Sequence, residues 1–280
     1  MSLSTKSELV GSENGAPIGR GAGLLSRGFG ETRGIVLPVA VAAFVVIAWQ
    51  LAVDIGHVPS VILPSPLEVL RTIGEERRIL LKHAIPTTSE SALGFAIASL
   101  LGIVLAIMIT YSQILKEALY PNLVFFQLIP KIALAPLFII WLGIGIESRL
   151  AFSVFISFFP VVIATSAGFA NVDPNMVRLC RAHMAKEWQI FLGVRLPFAL
   201  PYIFSGMKVA MTLAIIGVII GEFITAQAGL GYLIIFATSR ADTAVSLAAI
   251  AVLCFCGLVL YGLVALAERF LARLYGSQVE

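Results

Sequence analysis

Long apolar runs separated by short polar segments dominate the chain. Six of these runs are long enough to cross a membrane as helices, because about 20 helical residues span the ~30 Å of hydrocarbon in a bilayer. The runs are continuously apolar rather than alternating, so the pattern favours helices over the strands of a membrane barrel. The predicted spans cover residues 35–53, 93–109, 119–144, 150–169, 202–221 and 245–266.

Composition agrees with lipid as the main solvent of the folded chain. The 280 residues are 59% hydrophobic and only 12% charged, with a mean hydropathy of +0.98. Soluble domains are about a quarter charged. These features predict an all-α membrane protein with six transmembrane helices. The net charge of +3 gives no indication of nucleic-acid binding.

The polar segments are predicted to lie outside the hydrocarbon. Residues 1–33 are rich in Ser and Gly and lack an apolar core, so we expect a disordered cytoplasmic tail, and residues 276–280 form a second short tail. Prolines and scattered charges interrupt residues 54–89, where apolar residues at helical spacing predict a short amphipathic helix on the surface. Residues 222–243 are predicted to form an outer loop.

Basic residues are distributed unequally between the two sides of the predicted spans. With a cytoplasmic N-terminus, more Lys and Arg residues near span ends fall inside than outside. The count favours a topology in which both termini and the segment between the fourth and fifth spans face the cytoplasm.

That segment, at about residues 178–206, is the most distinctive part of the chain. Its first part combines charges with helical composition, and it closes with the sequence LPFALP. Pro197 and Pro201 are predicted to end the helix, and a new apolar helix follows from residue 202. A short surface helix joined by prolines to a membrane helix suits the transmission of movement from a soluble partner into the bilayer.

The same segment resembles the cytoplasmic loop of bacterial ABC importer permeases, whose signature is Glu-Ala-Ala, a central Gly and a final Ile-x-Leu-Pro. Val194, Leu196 and Pro197 match the final part of this signature. Arg178 and Met184 stand where the family has Glu and Gly. Because Met adopts a positive φ only at a cost, we expect a continuous helix where the family has a tight turn.

Further segments, in the same order, are similar to the nitrate, sulfonate and taurine branch of these permeases. They are LPSPLEVL after the first span, ALAPLFIIWLGIG in the third, LPFALPYIFSGMKVA in the fifth, and GLGYLI after GEF. The resemblance covers about residues 35–270. It implies the type I ABC importer permease fold for residues 34–275, with a cytoplasmic coupling loop at about residues 171–201.

The resemblance implies a permease subunit that forms the translocation pathway for a small solute. The solute would be a nitrate-, sulfonate-, taurine- or bicarbonate-like anion or a pyrimidine-type compound. The implied partners are ATP-binding-cassette ATPase subunits, a second permease chain that is either identical or different, and a periplasmic or lipid-anchored solute-binding protein, all at a bacterial inner membrane. No Gly-Lys dipeptide occurs, so a P-loop is absent from the sequence. We therefore expect ATP on a partner subunit, no enzymatic activity and no bound cofactor.

The loop residues predicted to couple the permease to the ATPase subunits lie in and after the segment that aligns with the family signature, and Leu179 to Glu187 are predicted to be the docked segment. Small residues there allow close approach, and charged residues are available to pair with partner charges. The alternative is that the charges form a solvated face and only the backbone shape matters. The predicted set is Arg178, Leu179, Arg181, Ala182, His183, Met184, Ala185, Lys186, Glu187, Val194, Leu196, Pro197 and Pro201.

Gln127 and Lys131 are candidates for the lining of the translocation pathway. Lys131 lies about 11 residues inside the third predicted span, where burying an ammonium group costs about 3 kcal/mol unless it faces water, a partner or substrate. Gln127 precedes it by one helical turn. Two interpretations remain open. Either Lys131 attracts an anionic substrate, or it satisfies carbonyl groups freed by Pro130 and Pro136.

Glu222, at the outer end of the fifth predicted span, is a third pathway candidate. It would lie at the outer gate or against the solute-binding protein, and the alternative is an interfacial acid that ends a helix. His57, His83 and His183 lack ligand spacing, so no metal site is predicted.

Two other classes of function also fit a polytopic chain. An ATP-independent secondary transporter or channel often carries internal repeats, and no convincing repeat relates the two halves of this sequence. A membrane-embedded enzyme would need a catalytic cluster, and the common hydrolase motifs do not occur.

Overall fold

The computed structural model describes residues 23–225 and 227–276, and every regular element in these ranges is helical. The all-α class predicted from the sequence is therefore confirmed for them. A 3₁₀ turn, Lys131–Leu134, precedes α5, and a π-helical turn, Phe191–Arg195, joins α8 to α9. The α-helices are α1 Gly23–Gly56, α2 Pro66–Glu75, α3 Arg77–Tyr111, α4 Gln113–Leu128, α5 Ala135–Leu142, α6 Ile146–Ala170, α7 Pro174–Ala182, α8 Glu187–Ile190, α9 Leu196–Thr225, α10 Leu230–Ser239 and α11 Thr243–Gly276.

The chain divides into two units after Gly56, and α1 is the helix of the first unit. It contains an apolar span, Val36–Gly56, with a mean hydropathy of 2.4. The side chains of this span are largely exposed, as expected for a helix surrounded by lipid. Because α1 begins at Gly23, helix replaces the final part of the tail predicted for residues 1–33. Residues 1–22 lie outside the described part of the chain.

In the second unit, α3, α6 and α9 pack together at the centre of a helical bundle. Small residues allow these helices to approach closely. A Cβ added to Gly94 would lie 2.6 Å from Ser153 Oγ, and one added to Gly102 would lie 2.9 Å from Val161 Cβ. A larger side chain at either position would therefore force the neighbouring helix outwards.

The third predicted span is bent rather than straight. α4 and the segment Lys131–Leu142 meet at 89°. Ile129 is extended, with ψ of 136°, as is typical before proline, and Pro130 has no N–H group to continue the helical hydrogen bonds. By length and composition, five helices in the described ranges can cross a membrane, or six if the bent pair counts as one span.

α3 starts earlier than the span predicted for residues 93–109, because Pro86 lies inside the helix without ending it. The surface helix predicted within residues 54–89 is therefore limited to α2. Ser65 caps α2, since its Oγ accepts the backbone N–H of Glu68 at 3.2 Å, and Pro66 occupies the first helical position.

α10 lies inside the outer loop predicted for residues 222–243. It is only 10 residues long, too short to cross a membrane, and it packs against α9 and α11. Leu230, Leu233 and Ala237 are buried by this packing. The predicted loop is therefore partly a helix fixed to the bundle.

Candidate functional site

The predicted coupling loop consists of two short helices with a turn between them. α7 begins after Asp173, whose Oδ1 accepts the backbone N–H of Asn175 at 2.8 Å, and Pro174 occupies the first helical position. α8 continues through the π-helical turn into α9, so the chain is helical for 39 residues from Glu187 to Thr225. We call this continuous segment the α8–α9 helix.

The turn between α7 and α8 contradicts the continuous helix expected at Met184. Met184 has a φ of +56°, in the left-handed region. Its N–H donates to the carbonyl oxygen of Arg181, and the N–H of Ala185 donates to the carbonyl oxygen of Cys180, both at 3.0 Å. This is a Schellman motif, which satisfies the last carbonyls of α7 and offsets a left-handed conformation that costs about 1–2 kcal/mol. The tight turn of the family signature is thus kept without its Gly.

Pro197 and Pro201 do not end a helix, contrary to the prediction. Pro197 follows the π-helical turn, in which the N–H of Leu196 donates to the carbonyl oxygen of Phe191. Such a turn contains an extra residue, so the proline ring is accommodated without a break. Pro201 lies inside α9, and Leu196 packs against a core that includes Phe169. The helical break in the loop therefore lies at Met184.

One side of the coupling loop is packed inwards. Val172, Val177 and Ile190 are buried together, and Ala185 and Val194 pack against them. The last two belong to the predicted coupling set, and Ala185 was also predicted to lie in the docked segment. In this structure they support the fold of the loop from its interior.

The loop also exposes large apolar side chains. Leu179 is 55% exposed, Met184 91% and Trp188 60%. We call these three residues the apolar loop face. Trp188 was not in the predicted set, although an aromatic residue in a polar segment was an available signal. Other exposed members of the predicted set are Arg178, Ala182, His183, Lys186 and Pro201.

Arg181 and Glu187, both predicted to be available for partner charges, pair with each other. Arg181 Nη2 lies 2.9 Å from Glu187 Oε1, and the two side chains are 56% and 53% exposed. An exposed pair of this kind contributes only about 0–1 kcal/mol. Either residue can therefore exchange this contact for one with a partner protein.

Lys131 lies immediately after the bend between α4 and the 3₁₀ turn. Its Nζ donates to the carbonyl oxygen of Gln127 at 3.2 Å and lies 5.2 Å from the centroid of the Phe159 ring. Because the chain bends between them, Gln127 and Lys131 do not share one face of a continuous helix, contrary to the prediction. The hydrogen bond is of the kind expected if Lys131 satisfies a carbonyl group freed by the prolines.

Glu222 is buried inside the bundle and only 1% exposed. Its Oε1 accepts a hydrogen bond from Thr87 Oγ1 at 2.7 Å, and its Oε2 accepts one from the N–H of Gly231 at 2.7 Å. Glu222 thus joins α9 to α3 and to the first turn of α10. This position does not match an interfacial acid that ends a helix, and it presents almost no surface to a solute-binding protein.

Side chains of α3 bind two more N–H groups at the start of α10. The N–H of Leu230 donates to Thr87 Oγ1 at 2.8 Å, and the N–H of Gly229 donates to His83 Nδ1 at 3.1 Å. Helix N-termini leave such groups without intrahelical partners. Together with Glu222, these contacts satisfy three consecutive N–H groups, and we call this set the α10 N-terminal network.

A buried ion pair that sequence reasoning missed joins α3 to α6. Arg149 Nη2 lies 2.7 Å from Glu90 Oε1, and Arg149 Nε lies 2.8 Å from Glu90 Oε2. The two side chains are 13% and 4% exposed. In the sequence, the opposite charges of Glu90 and Arg149 at the borders of two apolar runs were the signal that could have indicated this pair.

Across the described ranges, no group of three or more His, Cys, Asp or Glu side chains could hold a metal ion.

Comparisons with known proteins agree with this geometry. Residues 98–273 match the family model described as binding-protein-dependent transport system inner membrane component. The riboflavin transport system permease protein RibX of Chloroflexus aurantiacus is 34% identical over 239 residues, covering 85% of this chain and 89% of the relative. The taurine transport system permease protein TauC of Escherichia coli is 28% identical over 246 residues, covering 85% and 90%. A solved chain of the MetNI methionine ABC transporter, in an inward-facing conformation, has a similar fold, with a TM-score of 0.58, 17% identity and coverage of 72% of this chain and 98% of that one.

Proposed function

The chain belongs to the family of binding-protein-dependent transport system inner membrane components, and from this membership we propose how its surfaces are used. It is a multi-pass membrane protein and the non-enzymatic permease subunit of an ABC importer, whose ATPase is a separate subunit. Membership of this family excludes the two other classes of function that the sequence allowed, an ATP-independent transporter or channel and a membrane-embedded enzyme. The finer proposal places it in a bacterial inner membrane with cytoplasmic termini. There it pairs with a second permease chain and receives solute from a solute-binding protein.

The apolar loop face is proposed to be the contact surface for the ATPase subunit. Leu179, Met184 and Trp188 are exposed beside charged residues, and large apolar side chains in that setting mark protein-binding surfaces. The single observation that carries the proposal is the 91% exposure of Met184 at the tip of a turn stabilised by two backbone hydrogen bonds.

Movement of a docked ATPase subunit would pass into the membrane through the α8–α9 helix. Trp188 lies in the first turn of this helix, which continues without a break to Thr225. α7 is held against the start of this helix by the turn at Met184 and by the buried contact between Val177 and Ile190, so a docked loop would move with the helix as one unit. Closure of the ATPase subunits on ATP would therefore reorient α9, and the bundle would open to one side of the membrane at a time.

We expect Trp188→Ala and Leu179→Ala to lower ATP-dependent solute uptake at least tenfold. Truncating an aromatic or large apolar anchor at the centre of an interface costs about 2 kcal/mol or more. The measurement is uptake into proteoliposomes, together with the amount of ATPase subunit that co-purifies with the permease. Leu70→Ala, at a 65% exposed Leu of α2, is the matched control and should leave both unchanged.

Direct contact is tested by photocrosslinking in the same complex. A benzoylphenylalanine in place of Met184 should form crosslinks to the ATPase subunit, whereas one in place of Leu70 should not. Full uptake by Trp188→Ala, combined with no crosslink from position 184, would show that the apolar loop face is not the docking surface.

The proposed substrate is a small solute of the kind suggested by resemblance, either an oxyanion such as a sulfonate or a small heterocycle. TauC is named as a permease for taurine and RibX as one for riboflavin, so these relatives do not share one charge class of substrate. Lys131 is proposed to favour an anion because its ammonium group lies beside the bend of α4 and the 3₁₀ turn and is only half-buried.

We therefore expect Lys131→Ala to lower uptake of an anionic substrate about tenfold and that of an uncharged one much less, because only an anion gains from the ammonium charge. Lys131→Arg keeps the charge and is the control. If uptake fell equally for both substrates and the folded fraction on size-exclusion chromatography also fell, Lys131 would have only a structural role, as a donor to the carbonyl oxygen of Gln127.

A further inference from the structure

A basic cavity lies beside α7, separate from the apolar loop face. Its volume is about 500 Å³, which is within the range of small-ligand sites. The end of α3, the first turns of α4, the last turn of α6 and one side of α7 form its walls. None of the described residues that line it is acidic, and four are cationic, namely Lys116, Arg178, Arg181 and Arg195.

Two buried polar groups at this cavity have no hydrogen-bond partner among the described residues. Ser166 is 5% exposed, lines the cavity, and has an unpaired Oγ. Arg195 Nε is also buried and unpaired, while the guanidinium carbon lies 5.4 Å from the centroid of the Tyr111 ring. Buried polar groups are almost always hydrogen-bonded, so the two groups point to a missing partner.

Three of the four cations of this cavity have no partner of opposite charge among the described residues. Lys116, Arg178 and Arg195 form no ion pair within the described ranges, and the pair between Arg181 and Glu187 is exposed. Positive charges that converge on a partly enclosed space repel one another and attract anions. The arrangement is therefore complementary to a negatively charged group that accepts several hydrogen bonds.

We propose that this cavity binds a phosphate-type oxyanion, carried either by an anionic phospholipid headgroup or by a free phosphate compound. Guanidinium groups and a hydroxyl group are suitable donors to such an oxyanion. A bound anion contacts Lys116 on α4, Ser166 on α6 and Arg178 on α7, so it holds α7 against the membrane helices. The site does not depend on contact between the apolar loop face and an ATPase subunit.

The test uses the full-length chain, with any subunits that co-purify, in lipid nanodiscs. Lys116→Ala and Ser166→Ala remove cavity groups that lie outside α7, so the proposed ATPase-contact residues stay unchanged. Lys82→Ala removes an exposed Lys elsewhere and is the matched control. Binding of radiolabelled inorganic phosphate is measured in phosphatidylcholine nanodiscs, and retention of phosphatidylglycerol is measured by native mass spectrometry.

We expect Lys116→Ala to weaken anion binding at least tenfold and Ser166→Ala at least threefold, with Lys82→Ala equal to the wild-type chain. Saturable phosphate binding would assign the site to a free phosphate compound. Retained phosphatidylglycerol without phosphate binding would assign it to lipid. The proposal is overturned if the wild-type chain binds neither anion, or if both cavity variants bind as the wild-type chain does. A carbodiimide crosslink from Lys116 to a co-purified subunit would also overturn it, because a carboxylate of that subunit would then occupy the cavity.

Discussion

Gly229→Ala is expected to destabilise the permease by about 3 kcal/mol or more, because two separate costs add. Gly229 has φ of +118° and ψ of +160°, a conformation that is essentially restricted to Gly. A Cβ at this position would also overlap the carboxyl group of Glu222. Moving Glu222 aside would break its hydrogen bonds to Thr87 and Gly231. The measurement is the thermal unfolding midpoint of the purified chain in detergent, with the folded yield from membranes.

Gly262→Ala is the matched control for this prediction. Gly262 lies in α11, and an added Cβ would meet no heavy atom within 4 Å. Replacing Gly by Ala in an unhindered helix is neutral or stabilising by up to about 1 kcal/mol. If Gly229→Ala and Gly262→Ala unfolded at the same temperature, the α10 N-terminal network would not be what fixes α10 to the bundle.

Glu90→Ala is expected to cost about 3–5 kcal/mol, because it leaves the guanidinium group of Arg149 buried without its partner. Arg149→Ala should cost a similar amount, for the same reason applied to the carboxylate. The double variant Glu90→Ala/Arg149→Ala removes both charges, and we expect it to be more stable than either single variant. Thermal unfolding of the four proteins gives the coupling energy of the pair directly.

The ion pair between Lys208 and Glu268 provides the comparison for this cycle. Its side chains are 25% and 27% exposed, well above those of Glu90 and Arg149. Lys208→Ala should therefore cost only about 1 kcal/mol. A strictly additive cycle for Glu90 and Arg149 would show that their short contacts carry no net interaction.

The apolar spans could be predicted from sequence because each is a local pattern, but the effect of proline within them could not. Pro130 ends α4, whereas Pro86 lies inside α3. The two prolines have the same local effect on hydrogen bonding. Around Pro86, contacts from His83 and Thr87 to the start of α10 hold the helix in place. Those contacts join residues far apart in the chain, so no local pattern reports them.

The candidate site was predictable only in part, for a related reason. The polar loop between the fourth and fifth predicted spans could be located from its charges and from LPFALP, and most of the residues predicted to act in coupling are exposed there. The turn at Met184 was missed because its conformation is supported by hydrogen bonds of Arg181 and Cys180 carbonyls rather than by Gly. The sequence offered Glu222 only as a pathway candidate, and its partners on α3 and α10 could not be predicted because they depend on tertiary packing.

The length of the α8–α9 helix has a geometric consequence for force transfer. Its 39 residues extend for about 58 Å along the axis, roughly twice the ~30 Å hydrocarbon thickness. Oriented along the bilayer normal, a helix of this length would have nearly half of its residues beyond the acyl chains, and a soluble motor attached at its first turn would lie outside the lipid headgroups. A rocking of about 10° around the bilayer midplane displaces that end by about 5 Å, so a modest angular stroke inside the membrane corresponds to a full side-chain length at the attachment point.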